Sequence, residues 1–286
     1  MKKLTRCAAV TAIMSLAMVF ALSSVSQAAT SYMDKTTSAG QYRIYYNSTL
    51  SASCEAIVLG VGTAMSRDSY DNLASAVAAY GYVVVIMDHQ PGSMTKTGES
   101  QYKACIVELQ SNLLTWISGK GCTSIAHWIL GGHSAGGQAA QNTVADNPGI
   151  AQAIFSIDPY DCSSTGSVSV PALYWGFNVT TCFVTKESAA MAAYDSSLGY
   201  RAFYRVASVY SWGPCGYSPK YFHCSFTDGD CPACTNCMTT PSYFFTDVAK
   251  SVNKFINASF YGTFTKANVA VSTTTPTVLF VGSETP

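Results

Sequence analysis

The sequence predicts an α/β fold with a mostly parallel central sheet flanked by helices, and three observations carry that expectation. Short apolar runs recur along the 286 residues; Tyr82-Val83-Val84-Val85-Ile86-Met87, bounded by Gly81 and Asp88, is continuous, as a strand buried on both faces must be. Segments between the runs carry apolar residues at spacings of three and four, the stripe of a helix packed on one side. Strand and helix patterns alternate, and such alternation builds parallel sheets. Composition agrees: 48% of residues are apolar and 11% charged, against a usual charged share of roughly 25%, which excludes disorder as the main state. No linker or internal repeat splits the chain, so a single domain is expected over residues 29–258.

Taken in order, the first element is an export signal. Lys2, Lys3 and Arg6 precede an apolar stretch from Cys7 to about Leu22, and Ser26-Gln27-Ala28 places small residues where a signal peptidase reads. Residues 1–28 are therefore read as a cleaved signal peptide, the product being secreted, extracellular or periplasmic. The stretch is short for a stable membrane span and lacks a charged stop-transfer flank. Three of the 16 basic residues lie in it, so 13 remain against 16 acidic ones. Without a Lys or Arg cluster, no nucleic-acid partner is expected. Ten of the 11 cysteines remain after Cys7, an even set that reads as up to five disulfides. Cys231-x-x-Cys234-x-x-Cys237 also admits a zinc or iron–sulfur reading, which an oxidising compartment disfavours; no metal or cofactor is expected.

Candidate strands are Tyr42–Tyr46, Ala56–Val61, Tyr82–Asp88, Ile125–Gly131, Ala151–Ile157, Val170–Gly176 and Arg201–Val206. Tyr70, Leu73, Val77 and Tyr80 form one helical stripe; Tyr102, Ile106, Leu109, Leu113 and Trp116 form another. Ser134 to about Val144 is Ala-rich and helix-compatible, and Pro241 opens a last helix to about Asn257. Residues 259–286, rich in Thr and Val, are read as a C-terminal extension, either a strand pair or a tail.

The chemistry is carried by Gly132-His133-Ser134-Ala135-Gly136-Gly137, which follows the apolar strand ending Ile129-Leu130-Gly131 and precedes the Ala-rich helix. Gly-x-Ser-x-Gly in a strand–turn–helix context is a nucleophile elbow. Its turn strains the serine backbone, so residues two positions away must lack side chains. Ser134 is the candidate nucleophile, and it needs a base. Among four histidines, His133 lies within the elbow, His127 in the preceding strand and His89 at an earlier strand end. The order that accompanies this elbow is Ser, acid, His, which selects His223. Candidate acids between them are Asp146, Asp158, Asp161, Glu187 and Asp195. Asp158 is favoured, because Ser156-Ile157-Asp158-Pro159 puts it at a strand's C-terminal end, where it can orient His223; Asp161 is the next choice. An oxyanion hole needs two N–H donors. Ala135 supplies one, and Thr63 in Val61-Gly62-Thr63-Ala64 the other, with Val61 and Gly62 as alternatives.

These residues, with Ala56-Ile57-Val58-Leu59, Leu73-Ala74-Ser75 and Gly81-Tyr82-Val83-Val84, resemble the α/β-hydrolase branch that holds bacterial cutinases, polyester hydrolases and chlorophyllases. The resemblance covers roughly residues 40–225. It implies a single-domain α/β-hydrolase fold and a secreted, cofactor-free serine carboxylic-ester hydrolase. Cutinase-like enzymes carry their Asp after a later strand, where this chain has Thr180; chlorophyllases and pancreatic-type lipases carry it in an Asp-Pro like Asp158-Pro159. The Ser-His-x-Cys of polyester hydrolases is replaced by Phe222-His223-Cys224, and the loop before it is longer. That loop holds Tyr210, Trp212, Tyr217, Tyr221 and Phe222, candidates with Tyr160 for the wall of an acyl or aryl pocket.

The expected activity is hydrolysis of a short or medium acyl ester, a lipid or a polyester by a monomer. Acyl transfer with the same triad and a catalytically degenerate binding protein are the alternatives. Asn47, Asn178 and Asn257 open glycosylation sequons, and Asp228-Gly229-Asp230 reads as a turn rather than a calcium site.

Overall fold

The computed structural model describes residues 30–48, 50–88, 97–161, 166–177, 187–207, 210–213, 216–219, 223–228, 240–274 and 278–284. The signal segment, His89 and the Cys231–Cys237 triplet lie outside them. Eleven strands are β1 (Thr30–Thr36), β2 (Gln41–Asn47), β3 (Ser53–Gly60), β4 (Val83–Asp88), β5 (Ser124–His133), β6 (Ala153–Ile157), β7 (Ala172–Phe177), β8 (Arg201–Val206), β9 (Tyr210–Gly213), β10 (Gly216–Pro219) and β11 (Val278–Glu284). The helices are α1 (Asp71–Ala78), α2 (Thr97–Trp116), α3 (Ala135–Asp146), α4 (Glu187–Ser196), α5 (Ser242–Ile256) and the short α6 (Lys266–Val269), with 3₁₀ turns at Arg67–Tyr70 and His223–Phe226.

Nine strands form one sheet in the order β1-β2-β4-β3-β5-β6-β7-β8-β11. The six from β4 to β8 run parallel, and antiparallel strands close both edges. Alternate residues of each central strand feed opposite faces, as the two-residue side-chain period requires. Ile57 and Leu59 pack with α1 and α5 through Leu73, Val77, Val248 and Val252. Ala56 and Val58 pack with α2, α3 and α4 through Ile106, Leu109, Ala140 and Ala190. Burial on both faces is why these strands are apolar throughout rather than alternating.

Strands read from the sequence match observed ones with ends shifted by up to three residues. The segment after residue 258 joins the fold: β11 pairs antiparallel with β8, and Phe264 and Val269 are buried in the α5 face of the core. The fold is braced by the Cys54–Cys122 disulfide, whose Cα atoms stand 6.0 Å apart and which ties the start of β3 to the approach to β5. Cys224 is also disulfide-bonded. Full pairing of the ten cysteines fails at Cys105, a free, buried thiol on α2 that donates to the Ala39 carbonyl at 3.2 Å. Burial pushes that thiol's pKa up. Asn47 is buried and its amide donates to the Ala79 carbonyl at 3.3 Å, which leaves no room for a glycan in the folded chain. No helix among the described residues is long and apolar enough to cross a membrane.

Candidate active site

Three neighbouring strands, β3, β5 and β6, end side by side, with Gly60 beside Gly132 and His133 beside Ile157. Among the described residues, three non-glycines hold positive φ: Ala64 at 58°, Ser134 at 54° and Asp158 at 41°. Ser134 and Asp158 directly follow the last residues of β5 and β6, and Ala64 lies in the loop after β3. Such backbone costs about 1–3 kcal/mol per residue and persists only where its surroundings over-determine it.

The surroundings of Ser134 do so. Its N–H donates to the Ile157 carbonyl at 3.1 Å, and its own carbonyl accepts from Tyr160 N–H at 3.0 Å and Gln138 N–H at 3.1 Å. Glycines flank it because β3 passes against the turn: a Cβ on Gly132 would come within 2.5 Å of the Gly60 carbonyl oxygen, and one on Gly136 would overlap the same atom. Ser134 is therefore lifted out of β5 at the N-terminus of α3, where backbone N–H groups lack helical partners and carry partial positive charge. Ala135 is the first residue of that helix.

His223 opens the 3₁₀ turn and is 4% exposed; its Nδ1 lies 2.6 Å from Oδ2 of Asp158, itself 2% exposed. Asp158 is fixed by its backbone N–H, which donates to the Trp175 carbonyl at 2.7 Å. Asp158 is thus the carboxylate that meets His223. Asp161 is exposed and offers its carbonyl to the Gln138 amide. Asp146 ends α3 and Asp195 lies on α4; the Glu187 side chain is outside the described part. The segment after His223 is anchored at its far end too. Asp228 N–H donates to the Ser69 carbonyl at 2.8 Å, and its carboxylate accepts from Asn72 N–H at 3.0 Å. Between these ends, Phe226 packs among Trp175, Phe177 and Phe244 at ring-centroid distances of 5.2–6.1 Å.

The loop after β3 runs close to Ser134: a Cβ on Gly62 would stand 3.3 Å from Ser134 Cβ and 3.1 Å from His133 Nδ1. Two of its three candidate oxyanion donors are engaged. Val61 N–H donates to the Met87 carbonyl at 3.3 Å and Gly62 N–H to the Tyr70 hydroxyl at 2.9 Å. Among the described residues, Thr63 N–H has no acceptor.

The pattern of the sequence did not single out Tyr70 or His133 as site residues. Tyr70 reads as one member of a helical stripe and His133 as the spacer of the elbow. In the fold, the His133 ring is buried, 4.3 Å from the His223 ring centroid to centroid, with Nε2 2.9 Å from the His223 carbonyl and Nδ1 2.9 Å from the Tyr70 hydroxyl. Burial, then the neighbouring His223, hold its pKa well below the ordinary histidine value. His127, by contrast, stacks on Phe260 at 3.9 Å, with its Nδ1 3.6 Å from Glu55 Oε1. Of the pocket candidates, Tyr160 is half-buried beside Ser134, joined to it by the bond from its N–H. Trp212 has its backbone in the β9–β10 hairpin, and its side chain and all of Phe222 lie outside the described residues. Neither a scan against protein-family models nor a search of curated proteins gives a match to this chain.

Proposed function

We propose that this chain is an exported serine hydrolase of carboxylic esters, built on an α/β-hydrolase fold and working through an acyl-enzyme on Ser134. One observation carries the reading: a buried His223–Asp158 hydrogen bond of 2.6 Å stands at the strand edge where Ser134 is held at φ 54°. The order of the three along the chain, the glycine-flanked elbow and the apolar segment at residues 7–22 support it.

In this mechanism Asp158 accepts the hydrogen bond from His223 Nδ1–H and so leaves Nε2 bare. Nε2 takes the proton of Ser134 Oγ as that oxygen attacks the ester carbonyl carbon. The carbonyl oxygen becomes an oxyanion that the N–H groups of Thr63 and Ala135 stabilise. Collapse breaks the bond to the alcohol, which leaves with the proton from Nε2. Water then enters, gives a proton to Nε2 and attacks the acyl carbon; the bond to Ser134 Oγ breaks, that oxygen takes the proton back from Nε2, and the acid is released. The Asp158 charge stabilises the imidazolium present in both halves.

Hydrolysis of p-nitrophenyl esters of graded acyl length by the wild type and by Ser134→Ala tests this. The substitution is expected to lower kcat by on the order of a thousandfold or more and to abolish labelling by a fluorophosphonate. Undiminished turnover in Ser134→Ala refutes the reading.

A further inference from the structure

We propose that Tyr70 and His133 act as a pair of positioning residues that lock the oxyanion loop and the His223 segment into one register around Ser134. The inference rests on the esterase reading above. The hydrogens available to these groups fix which of them donates. The His223 carbonyl can only accept, so His133 Nε2, 2.9 Å away, bears a hydrogen. His133 is 1% exposed with its pKa well below the ordinary value, so the ring is neutral and holds only that one N–H. Nδ1 is therefore an acceptor, and the Tyr70 hydroxyl at 2.9 Å gives it its single hydrogen. The oxygen of that hydroxyl is then left to accept Gly62 N–H at 2.9 Å. Met65 Sδ touches the same hydroxyl at 3.3 Å, but the hydrogen is already committed.

The chain thus runs one way, from Gly62 N–H to Tyr70 O–H to His133 Nδ1, and from Nε2–H to the His223 carbonyl. Both ends are backbone groups whose polarity cannot invert, so the tautomer in the middle is fixed. One end engages the residue just before Thr63 in the loop that passes Ser134; the other engages the residue that carries the base. Ser69 and Asn72, either side of Tyr70, hold Asp228 at the far end of the His223 segment. The 3₁₀ turn at Arg67–Tyr70 is thereby a common anchor for two loops that must agree to within tenths of an ångström for attack and oxyanion capture to coincide.

The test uses the mature protein with Tyr70→Phe, His133→Leu, His133→Gln and the Tyr70→Phe/His133→Leu double variant. Readouts are kcat and KM on p-nitrophenyl butyrate, melting by circular dichroism, and the nitrogen-15 imidazole spectrum of His133. Tyr70→Phe and His133→Leu are each expected to lower kcat by about 10- to 100-fold, a partial loss beside the hundredfold or more for deleting a donor outright, with KM within about twofold. Glutamine carries an acceptor oxygen and a donor N–H on one planar group, so His133→Gln should recover at least about fivefold over His133→Leu at matched melting temperature. If the pair works as one unit, the double variant loses no more than the worse single. The spectrum should show a neutral ring protonated at Nε2, a result that does not depend on activity and remains readable if Tyr70→Phe does not fold. Losses that multiply, kcat that follows melting temperature alone, or an Nδ1–H or charged His133 each overturn the proposal. An active Ser134→Ala overturns the esterase reading instead.

Discussion

Replacing Asp158 by asparagine removes one charge at the centre of the site while keeping the side chain's size. The backbone there sits at φ 41°, and asparagine is one of the few residues that visit this region readily, whereas alanine would add strain. The N–H bond to the Trp175 carbonyl survives, since it belongs to the main chain. What disappears is a charge-assisted bond of 2.6 Å between groups 2% and 4% exposed. Such bonds contribute about 1.5–3 kcal/mol, or roughly 10- to 150-fold in rate at 1.36 kcal/mol per decade. A second loss adds to it. If the amide turns its NH₂ toward Nδ1, the imidazole must carry its hydrogen on Nε2, which then cannot accept the serine proton. Together these should lower kcat by about 10³–10⁴-fold, with KM and melting temperature little changed. Stopped and steady-state assays on p-nitrophenyl butyrate read the loss, with Asp161→Asn as the control, expected within about twofold of wild type given its exposed position. Asp158→Asn that keeps more than a tenth of wild-type kcat, or Asp161→Asn that loses more than Asp158→Asn, refutes the reasoning.

The Cys54–Cys122 bond spans 68 residues of sequence, so its removal by paired alanine substitution should cost about 4 kcal/mol through the unfolded chain's entropy and lower the melting temperature by about 10 °C; an unchanged melting temperature would show that the brace constrains little. His133 is buried with its pKa lowered below 6.5. Below 6.5 the unfolded chain binds a proton that the folded state refuses, so stability declines as pH falls through that value, by up to about 1.4 kcal/mol per pH unit. His133→Gln should flatten this share of the slope in urea titrations at about pH 6.5 and 5, and an identical slope in the variant would contradict it.

The physics that makes the core strands and the elbow readable from sequence is local. A run such as Val83–Met87 is apolar because both its faces are covered, and glycines at 132 and 136 are demanded by one close approach of β3. β1 carries no apolar signature because its edge position leaves residues exposed along the strand, and it gains order from pairing with β2 rather than from burial. β11 follows a Thr-rich stretch, and its partner residues in β8 lie 72 to 83 positions earlier, from Val278↔Val206 to Glu284↔Arg201, a distance over which no periodicity speaks. Asp158 could be favoured over Asp161 because Pro159 marks the strand end. Tyr70 could not be found at all: its hydroxyl matters only through Gly62 and His133, and those contacts form when the 3₁₀ turn, the β3 loop and the elbow fold against one another.

Strain explains why the parts of the site sit where they do. Ala64, Ser134 and Asp158 together hold about 3–9 kcal/mol of unfavourable backbone, a large fraction of the 5–15 kcal/mol that stabilises a domain. A sheet edge can hold such residues only if neighbouring strands supply fixed partners for them. Here β6 accepts the Ser134 N–H through the Ile157 carbonyl, β7 accepts the Asp158 N–H through the Trp175 carbonyl, and Tyr160 returns a bond to the Ser134 carbonyl. Each strained residue after the first is therefore held by the next strand across the sheet. The parallel order β3-β5-β6-β7 is what lines up these donors and acceptors at one edge. Shifting any one strand by a residue would unpair the backbone groups that hold Ser134 and Asp158 in place, which is why the site depends on the register of the whole central sheet rather than on the Gly-x-Ser-x-Gly segment alone.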